Sequence, residues 1–181
     1  MEKEKPKISL VYIDENYTDF LRLVDKRVPY NMNYSYQRPF TGALFKVQNM
    51  VYFAPLTTSS KGKKLMASPK NESITFLPIE NCKFGGINFN NMLPVVEGVY
   101  SLIDLTINID DDSKTKAEKI KYIHIVRFLR KNYVKIIIKA KKIYNMQKRG
   151  TLYKNYMDVT CDFDKLEKQS QLWDIDVFNT D

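Results

Sequence analysis

The chain has 181 residues, 44% of them hydrophobic, which suits a folded protein with a buried core and excludes a disordered chain. Its formal net charge of +8 favours polyanionic partners, nucleic acid above all. One histidine and two distant cysteines exclude a structural zinc site, which needs about four such ligands. We expect a single domain over residues 1–181, with both cysteines as buried thiols.

The amino-terminal sequence MEKEKPKISL has no long apolar core and no cleavage-site pattern, so no signal peptide is predicted. No apolar run in the sequence approaches the ~20 residues that a membrane-spanning helix requires. Two unpaired thiols fit a reducing compartment. The sequence therefore predicts a cytoplasmic protein without a membrane partner.

The first third of the chain begins with a predicted strand and helix. Residues 8–13 (ISLVYI) are rich in β-branched and aromatic side chains, which favour a strand. Asp14 is a suitable cap for the following helix, where apolar residues recur at three- and four-residue spacing over residues 17–24. We expect that helix to end at Pro29 and to lead into a polar, tyrosine-rich loop at residues 31–40.

The middle of the chain is predicted to consist of further strands. The segments TGALFKV and MVYFAPL form a hairpin around the dipeptide at 48–49, and SITFLPI, GGINF and MLPVVEGVYSLI add more strands. Because proline lacks an amide donor, Pro55, Pro78 and Pro94 suit sheet edges or bulges rather than central positions. The glycine pair at 85–86 is interpreted as a bulge or turn rather than a ligand site.

The last third of the chain is predicted to be helical. Residues 114–148 lack proline and glycine, and their apolar spacing predicts two helices broken near Asn132 and ended by Gly150. Asp162 is the expected cap of a last short helix in CDFDKLEKQSQLW. Strands first and helices later predict an α+β fold with an antiparallel sheet.

Several common types of active site are unsupported by the sequence. The acidic run at 110–112 precedes a helix, where the helix dipole favours acids, so we interpret it as a cap rather than a cation site. There is no P-loop, GxGxxG or HExxH motif. His124, within the apolar segment YIHIVRF, is expected to be a core residue rather than a catalytic base. We therefore predict no metal and no cofactor.

The helical region is strongly basic, since Glu118 is its only acid between Lys114 and Arg149. A surface of this kind complements a phosphate backbone, although a solvated charged face is the simpler alternative. In the segment FAPLTTSSKGKKL (53–65), an apolar strand runs into four hydroxyl residues and then three lysines, in what we expect to be a loop. Hydroxyls beside cations suit a phosphate ligand.

Together with NYSYQRPFTG upstream, this segment has the residue types for RNA cleavage without a metal. RNA supplies its own nucleophile, the 2′-OH. A protein must then help to move two protons and stabilise the charge that develops on phosphorus. Tyrosines can stack on unpaired bases. A non-catalytic RNA-binding module and a protein–protein adaptor remain alternatives.

Five segments in order resemble the ToxN/AbiQ family of endoribonuclease toxins from type III toxin–antitoxin systems. They span about residues 8–170 and are FLRLVDKRVPY, YSYQRPFTGALF, VYFAPLTTSSK, FGGINFNNMLPVVEGVYSLIDL and VTCDFDKLE. The resemblance implies a strongly twisted antiparallel sheet surrounded by helices, similar to the Kid and MazF toxins. It also implies metal-independent, sequence-selective cleavage of adenine-rich single-stranded RNA, leaving a 2′,3′-cyclic phosphate and a 5′-hydroxyl.

The implied partner is a small repeated RNA antitoxin that folds into pseudoknots. Toxin and RNA would close into a ring-like assembly that masks the active site, and such systems often act against bacteriophage, which implies abortive infection. No cofactor is implied.

The family motifs place candidate site residues on this sequence. The family's loop tyrosine falls on Tyr34, and its basic residue, commonly lysine, falls on Arg38. Its hydroxyl pair falls on Thr57 and Thr58, where a threonine replaces the family's serine, and Lys61 is nearest to its next lysine, since Ser60 holds that position. We expect catalytic roles for Tyr34, Arg38, Thr57, Thr58 and Lys61, and RNA contacts from Ser59, Ser60, Lys63, Lys64, Lys26 and Tyr36.

Within the catalytic set, the expected roles differ. Thr57, Thr58 and Lys61 would bind the scissile phosphate, and Arg38 would stabilise the transition state. Lys61 or Tyr34 would take part in proton transfer.

Overall fold

A computed structural model of the protein describes residues 8–33, 36–67 and 74–173. Its strands are β1 (Ser9–Ile13), β2 (Met32–Asn33), β3 (Tyr36–Gln37), β4 (Phe40–Gly42), β5 (Lys46–Val47), β6 (Met50–Thr57), β7 (Phe76–Pro78), β8 (Gly86–Asn88), β9 (Leu93–Val95) and β10 (Tyr100–Leu102). Its helices are α1 (Glu15–Arg22), α2 (Ser59–Met66), α3 (Ser113–Lys131), α4 (Tyr133–Lys148), α5 (Lys154–Met157) and α6 (Phe163–Ser170).

Eight of the strands form one antiparallel sheet. Its path runs β10-β1-β4-β6-β8-β7, and β5 and β9 also pair with β6. Strands β2 and β3 pair antiparallel in a separate two-stranded sheet, within the segment that the sequence predicted to be a loop. The α+β class with an antiparallel sheet is confirmed, while the expected likeness to Kid and MazF stays a prediction.

Strand β6 is the centre of this sheet, and it pairs with four other strands. The expectation that Pro55 lies at an edge or bulge is wrong, because Pro55 is buried in β6 and pairs with Phe40 of β4. On its other side, β6 changes partner: its pairing with β9 ends at Phe53, and its pairing with β8 begins at Leu56. The missing amide of Pro55 therefore falls between two partners.

The hydrophobic core lies between the sheet and helices α1, α3, α4 and α6. Its largest fully buried side chains are Tyr17, Tyr52, Phe40, Phe53, Phe89 and Phe163. Each contributes roughly 1.5–3 kcal/mol of hydrophobic stabilisation relative to an exposed side chain. Both cysteines are buried and unpaired, as predicted.

The helical third matches its prediction closely. Asp112 caps α3 by accepting a hydrogen bond from the Thr115 amide at 2.6 Å, which confirms the cap interpretation of the acidic run. Helices α3 and α4 meet at Asn132, and Gly150 follows α4 with a φ of +65°. Asp162 caps α6 as expected.

Helix α1 is capped by Asp14 as predicted, but it ends at Arg22 rather than at Pro29. The cause is the buried carboxylate of Asp25, which accepts hydrogen bonds from the amides of Arg27 (3.0 Å) and Asp162 (2.7 Å). These bonds fold the chain into a turn that a continued helix would not allow.

The predicted strand TGALFKV is also divided, into β4 and β5. Across the described residues, no helix combines the length and apolar character needed to cross a membrane.

Candidate active site

The hydroxyl-rich segment after β6 is a helix, so the expectation of a loop is wrong. Helix α2 begins at Ser59, and Thr58 is its cap: Thr58 Oγ1 accepts from the Lys61 amide at 3.4 Å. Gly62 keeps the helix close to its support, because a Cβ at this position would lie 3.2 Å from Cys82 Sγ. The amino terminus of a helix attracts anions through its amides and dipole, and this one carries three hydroxyl side chains.

Thr57 ends β6 one residue before this cap. It is buried, and its Oγ1 donates to the carbonyl oxygen of Gly86 at 3.3 Å. The neighbouring Gly85 has a φ of +82°, and a Cβ there would lie 1.8 Å from the Thr57 carbonyl oxygen. The predicted turn at the glycine pair is confirmed, and its effect is to let β8 approach the Thr57 backbone closely.

Arg38 is held beside this junction by main-chain carbonyls. Its Nε donates to the carbonyl oxygen of Tyr30 at 3.1 Å and its Nη1 to that of Leu56 at 3.3 Å. The Arg38 amide donates to the carbonyl oxygen of Asn31 at 2.8 Å. The guanidinium is therefore oriented before any ligand binds, which reduces the entropy lost in positioning its charge.

A cleft of about 310 Å³ brings these groups together. Three of the predicted catalytic residues line it, namely Arg38, Thr57 and Thr58. Its other lining residues are Pro39, Leu56, Phe84, Glu118, Lys121, Tyr122 and Ile125. One side of the cleft thus comes from β6 and the α2 cap, and the other from helix α3.

The α3 wall of the cleft carries a hydrogen-bonded pair of polar side chains, Tyr122 and Glu118. Tyr122 donates from its hydroxyl to Glu118 Oε1 at 3.0 Å. Burial raises the pKa of Tyr122, and the nearby Tyr12 and Glu118 raise it further. Burial also raises the pKa of Tyr12, which shares a hydrogen bond with Tyr122. Both phenols are therefore neutral donors at physiological pH.

His124 is not the core residue that its apolar neighbours suggested. The side chain is exposed, and its ring stacks on Phe84 with ring centroids 5.5 Å apart and an interplanar angle of 17°. Phe84 lines the cleft, so the imidazole lies at the cleft rim. In helix α3 the side chains of Tyr122 and Ile125 point into the protein and that of His124 points outward. The apolar residues next to His124 in sequence gave no indication of this.

The remaining predicted site residues differ in position. Ser60 and Lys61 are exposed in the first turn of α2, next to the cleft, and Ser60 Oγ lies 3.2 Å from Thr58 Oγ1. Ser59 instead faces the protein, where it donates to the carbonyl oxygen of Cys82.

Other candidates are farther along the chain or lack a described side chain. Lys63 and Lys64 are exposed further along α2, and Lys26 is exposed after α1 and does not line the cleft. Tyr34 lies outside the described residues. Tyr36 belongs to β3, but its side chain is not described.

Neither thiol is suited to nucleophilic catalysis. Burial raises the pKa of Cys161 to about 12, and burial also raises the pKa of Cys82 despite an opposing effect of Lys63. Within residues 8–33, 36–67 and 74–173, no three His, Cys, Asp or Glu side chains are grouped as a metal site would require.

A second concavity, which we call the basic groove, has a volume of about 950 Å³. One wall comes from the end of α3 and from α4, and it carries five cations: Arg130, Lys131, Lys135, Lys139 and Lys142. The opposite wall is largely apolar and includes Phe76, Leu77 and Pro78 of β7. The groove is thus a basic surface distinct from the cleft.

Sequence reasoning missed the α3 side of the cleft. Glu118, Lys121, Tyr122 and Ile125 recur at three- and four-residue spacing, which is a signal for one helix face. This spacing could have identified the helix face. It could not have shown that the face lies opposite the end of β6 and the start of α2.

Comparison with known proteins gives concordant results. Residues 9–171 match the family described as toxin ToxN of the type III toxin–antitoxin system. Endoribonuclease ToxN of Bacillus thuringiensis subsp. kurstaki is 31% identical over 177 residues, covering 93% of this chain and 84% of the relative. Endoribonuclease ToxN of Pectobacterium atrosepticum is 30% identical over 165 residues, covering 87% and 88%.

Solved structures share the fold. A protein from a bacterial antiviral system regulated by a processed non-coding RNA has a TM-score of 0.74 at 26% identity, covering 91% of this chain and 98% of that chain. A type III toxin inhibited by a non-coding RNA pseudoknot has a TM-score of 0.70 at 28% identity, covering 91% and 96%. The lactococcal anti-phage endoribonuclease AbiQ has a TM-score of 0.74 at 21% identity, covering 92% and 97%.

Proposed function

Since this chain belongs to the ToxN family of type III toxin–antitoxin systems, we propose that it is an endoribonuclease toxin that cuts RNA in the cleft between α2 and α3. The substrate is single-stranded, adenine-rich RNA, and the products carry a 2′,3′-cyclic phosphate and a 5′-hydroxyl. The single observation that carries the proposal is the cleft itself, in which Arg38 and the Thr58 cap converge.

The proposed reaction is an internal transesterification. The ribose 2′-oxygen attacks phosphorus and loses its proton to a base, the P–O5′ bond breaks, and an acid protonates the leaving oxygen. Arg38 and Lys61 stabilise the negative charge on the phosphoryl oxygens, and the Thr58 hydroxyl and the α2 amino terminus donate hydrogen bonds to them. These groups supply the positive charge that a divalent ion would otherwise provide.

Three side chains are candidates for the proton transfers. Lys61 and Tyr34 were expected from the sequence, and the exposed His124 at the cleft rim joins them. An imidazole has one ring nitrogen that can accept a proton and one that can donate a proton, which suits both steps. Thr57 binds phosphate less directly, because its proton is used in the hydrogen bond to Gly86.

Purified variants test the cleft assignment. Thr58→Ala and Lys61→Ala should each abolish growth inhibition and slow RNA cleavage in EDTA at least about 100-fold, the scale of one lost charge-stabilising donor. Lys168→Ala removes an exposed lysine of α6 and is the matched control. Full activity of both cleft variants contradicts the assignment. Cleavage of oligonucleotides that lack the 2′-OH contradicts the chemistry.

We further propose that the partner is a repeated pseudoknot RNA antitoxin. A closed ring of alternating toxin and RNA needs two RNA-contacting surfaces on each toxin, and the cleft and the basic groove supply two. The role that we propose is phage defence by abortive infection, in the cytoplasm, and the likeness to a protein from a bacterial antiviral system supports the defence role.

The alternative function is an RNA-binding module without catalysis, which the size and charge of the basic groove favour. Analysis of the RNA ends separates the two functions. Cyclic phosphate termini that form only with active wild-type protein require an enzyme, whereas intact RNA after binding supports the module.

A further inference from the structure

Glu118 is the only carboxylate among the residues that line the cleft. The segment around it is otherwise basic, since no other acid lies between Lys114 and Arg149. Glu118 is exposed at the cleft, and its carboxylate disfavours a phosphate beside it because like charges repel. A different part of the RNA must therefore face Glu118.

The geometry leaves this carboxylate able to accept a hydrogen bond. Oε1 accepts from the Tyr122 hydroxyl at 3.0 Å, which fixes the side chain in place. Among the described residues, no hydrogen bond to Oε2 and no ion pair to Glu118 is found. A carboxylate oxygen accepts hydrogen bonds from N–H and O–H donors, and the donors on the edge of an RNA base are N–H groups.

The surroundings of Glu118 suit a planar base. Phe84, stacked on His124, contributes the exposed edge of an aromatic pair, and Pro39, Leu56 and Ile125 add apolar surface to the same cleft. Bases stack on such faces regardless of their sequence, whereas base identity is recognised through hydrogen bonds at the base edge. The cleft thus combines apolar and aromatic surface for stacking, a carboxylate for recognition of a base edge, and the residues proposed to bind phosphate.

We propose that the cleft contains a base-recognition subsite in which Glu118 accepts a hydrogen bond from the amino group of an RNA base stacked near Phe84. The inference rests on the proposed function and adds the basis of sequence selectivity. Adenine, cytosine and guanine carry an amino group, and uracil does not. The carboxylate therefore selects an amino-bearing base and repels the carbonyl oxygens of uracil.

A different role for Glu118 is that of general base toward the 2′-OH. The two roles predict different kinetics. A general base affects every substrate by a similar factor, whereas base recognition affects substrates according to the functional group that they present. The test therefore measures the coupling between one protein group and one base group.

The experiment begins by mapping wild-type cleavage on random-sequence RNA to find the most selective position. At that position the amino group is then deleted, with purine for adenine, hypoxanthine for guanine or 2-pyrimidinone for cytosine. Wild-type kcat/KM should fall about 10-fold or more on deletion, the scale of one good base contact. In Glu118→Ala the same deletion should change kcat/KM less than about 2-fold, a range that distinguishes coupling from none.

Two variants complete the design. Glu97→Ala removes an exposed carboxylate outside the cleft and should respond to the deletion as the wild type does. Glu118→Gln keeps the shape and an acceptor oxygen, so its response should lie between the other two. An equal response of wild type and Glu118→Ala overturns the proposal, as does an equal slowing of all substrates by Glu118→Ala.

The same cycle is also run on the binding of uncleavable 2′-deoxy oligonucleotides. One outcome is that the wild type does not cleave RNA and the coupling still appears in binding. The proposed catalysis then fails and the subsite stands. If the wild type cuts RNA without coupling at any position, the catalysis stands and the subsite fails.

Discussion

Ser59 donates a hydrogen bond from its Oγ to the carbonyl oxygen of Cys82, at a distance of 2.6 Å. The bond ties the first turn of α2 to the turn before β8. In that turn Glu80, Asn81 and Cys82 all have positive φ values, a conformation that L-residues rarely adopt. The position of the Thr58 cap therefore depends on a turn 23 residues away in sequence.

Replacing Ser59 with alanine tests whether this side chain anchors α2 to the rest of the protein. We expect the free energy of unfolding of Ser59→Ala to fall by about 1 kcal/mol, because the Cys82 carbonyl loses the shorter of two hydrogen bonds and keeps the one from the Gly85 amide. Ser60→Ala is the matched control and should change stability by less than about 0.5 kcal/mol, since Ser60 is exposed. Urea denaturation measures both. Equal effects would show that Ser59 does not anchor the helix.

Two glycines with positive φ differ in their surroundings. An added Cβ at Gly85 meets the Thr57 carbonyl oxygen at 1.8 Å, whereas one at Gly150 meets nothing within 4 Å. Gly150→Ala should therefore cost about 1–2 kcal/mol from backbone conformation alone. Gly85→Ala should cost at least about 2 kcal/mol more, because β8 must move away from Thr57. Similar denaturation midpoints for the two variants would contradict the close-approach explanation.

Asp25 should make the protein sensitive to acid. Burial alone would raise the pKa of Asp25, but hydrogen bonds from the Arg27 side chain and from the Asp162 and Arg27 amides outweigh it and hold the pKa below its usual range. Because the folded pKa is the lower one, this stabilisation is present above the unfolded pKa of about 4 and is lost as pH falls through the folded pKa.

The measurement is the free energy of unfolding between about pH 7 and pH 3. Asp25→Asn should be less stable than the wild type at neutral pH and should lose less stability on acidification. Asp19→Asn changes an exposed carboxylate on α1 and should keep the wild-type slope. Parallel pH profiles for wild type and Asp25→Asn would refute the role of Asp25.

Charge reversal in the basic groove should weaken the binding of folded RNA. Lys135→Glu and Lys142→Glu place acids on the exposed α4 wall, so each should weaken antitoxin affinity and lower the slope of log affinity against log salt by about 1. Cleavage of a short oligonucleotide in the cleft should change much less. Lys168→Glu, on α6, is the control. Unaltered salt slopes would show that RNA does not occupy the groove.

Local signals explain why the ends of the helices were predictable. Asp14, Asp112 and Asp162 each cap a helix as expected, and Asn132 and Gly150 bound α4, because capping and breaking are determined by nearby residues. The family motifs likewise placed Arg38, Thr57 and Thr58, which line one cleft.

Tertiary contacts explain what the sequence did not predict. Helix α2 looked like a loop because its helical start depends on Cys82 and on the packing of Gly62, both supplied from outside the segment. Pro55 occupies a central strand because two partner strands end beside it. His124 is exposed because Tyr122, Ile125 and Leu129 form the buried face of α3, and the apolar neighbours of His124 in sequence made it look like part of that face.

Helix α3 contributes Glu118 to the cleft and Arg130 to the basic groove. At 1.5 Å per residue, the two positions are about 18 Å apart along the axis, or roughly five stacked nucleotides at ~3.4 Å each. The helix therefore fixes the distance between the two surfaces, and a stacked RNA strand of fewer than about five nucleotides would reach only one of them. The length of an RNA, as well as its sequence, would then determine whether it contacts the cleft alone or the cleft and the basic groove together.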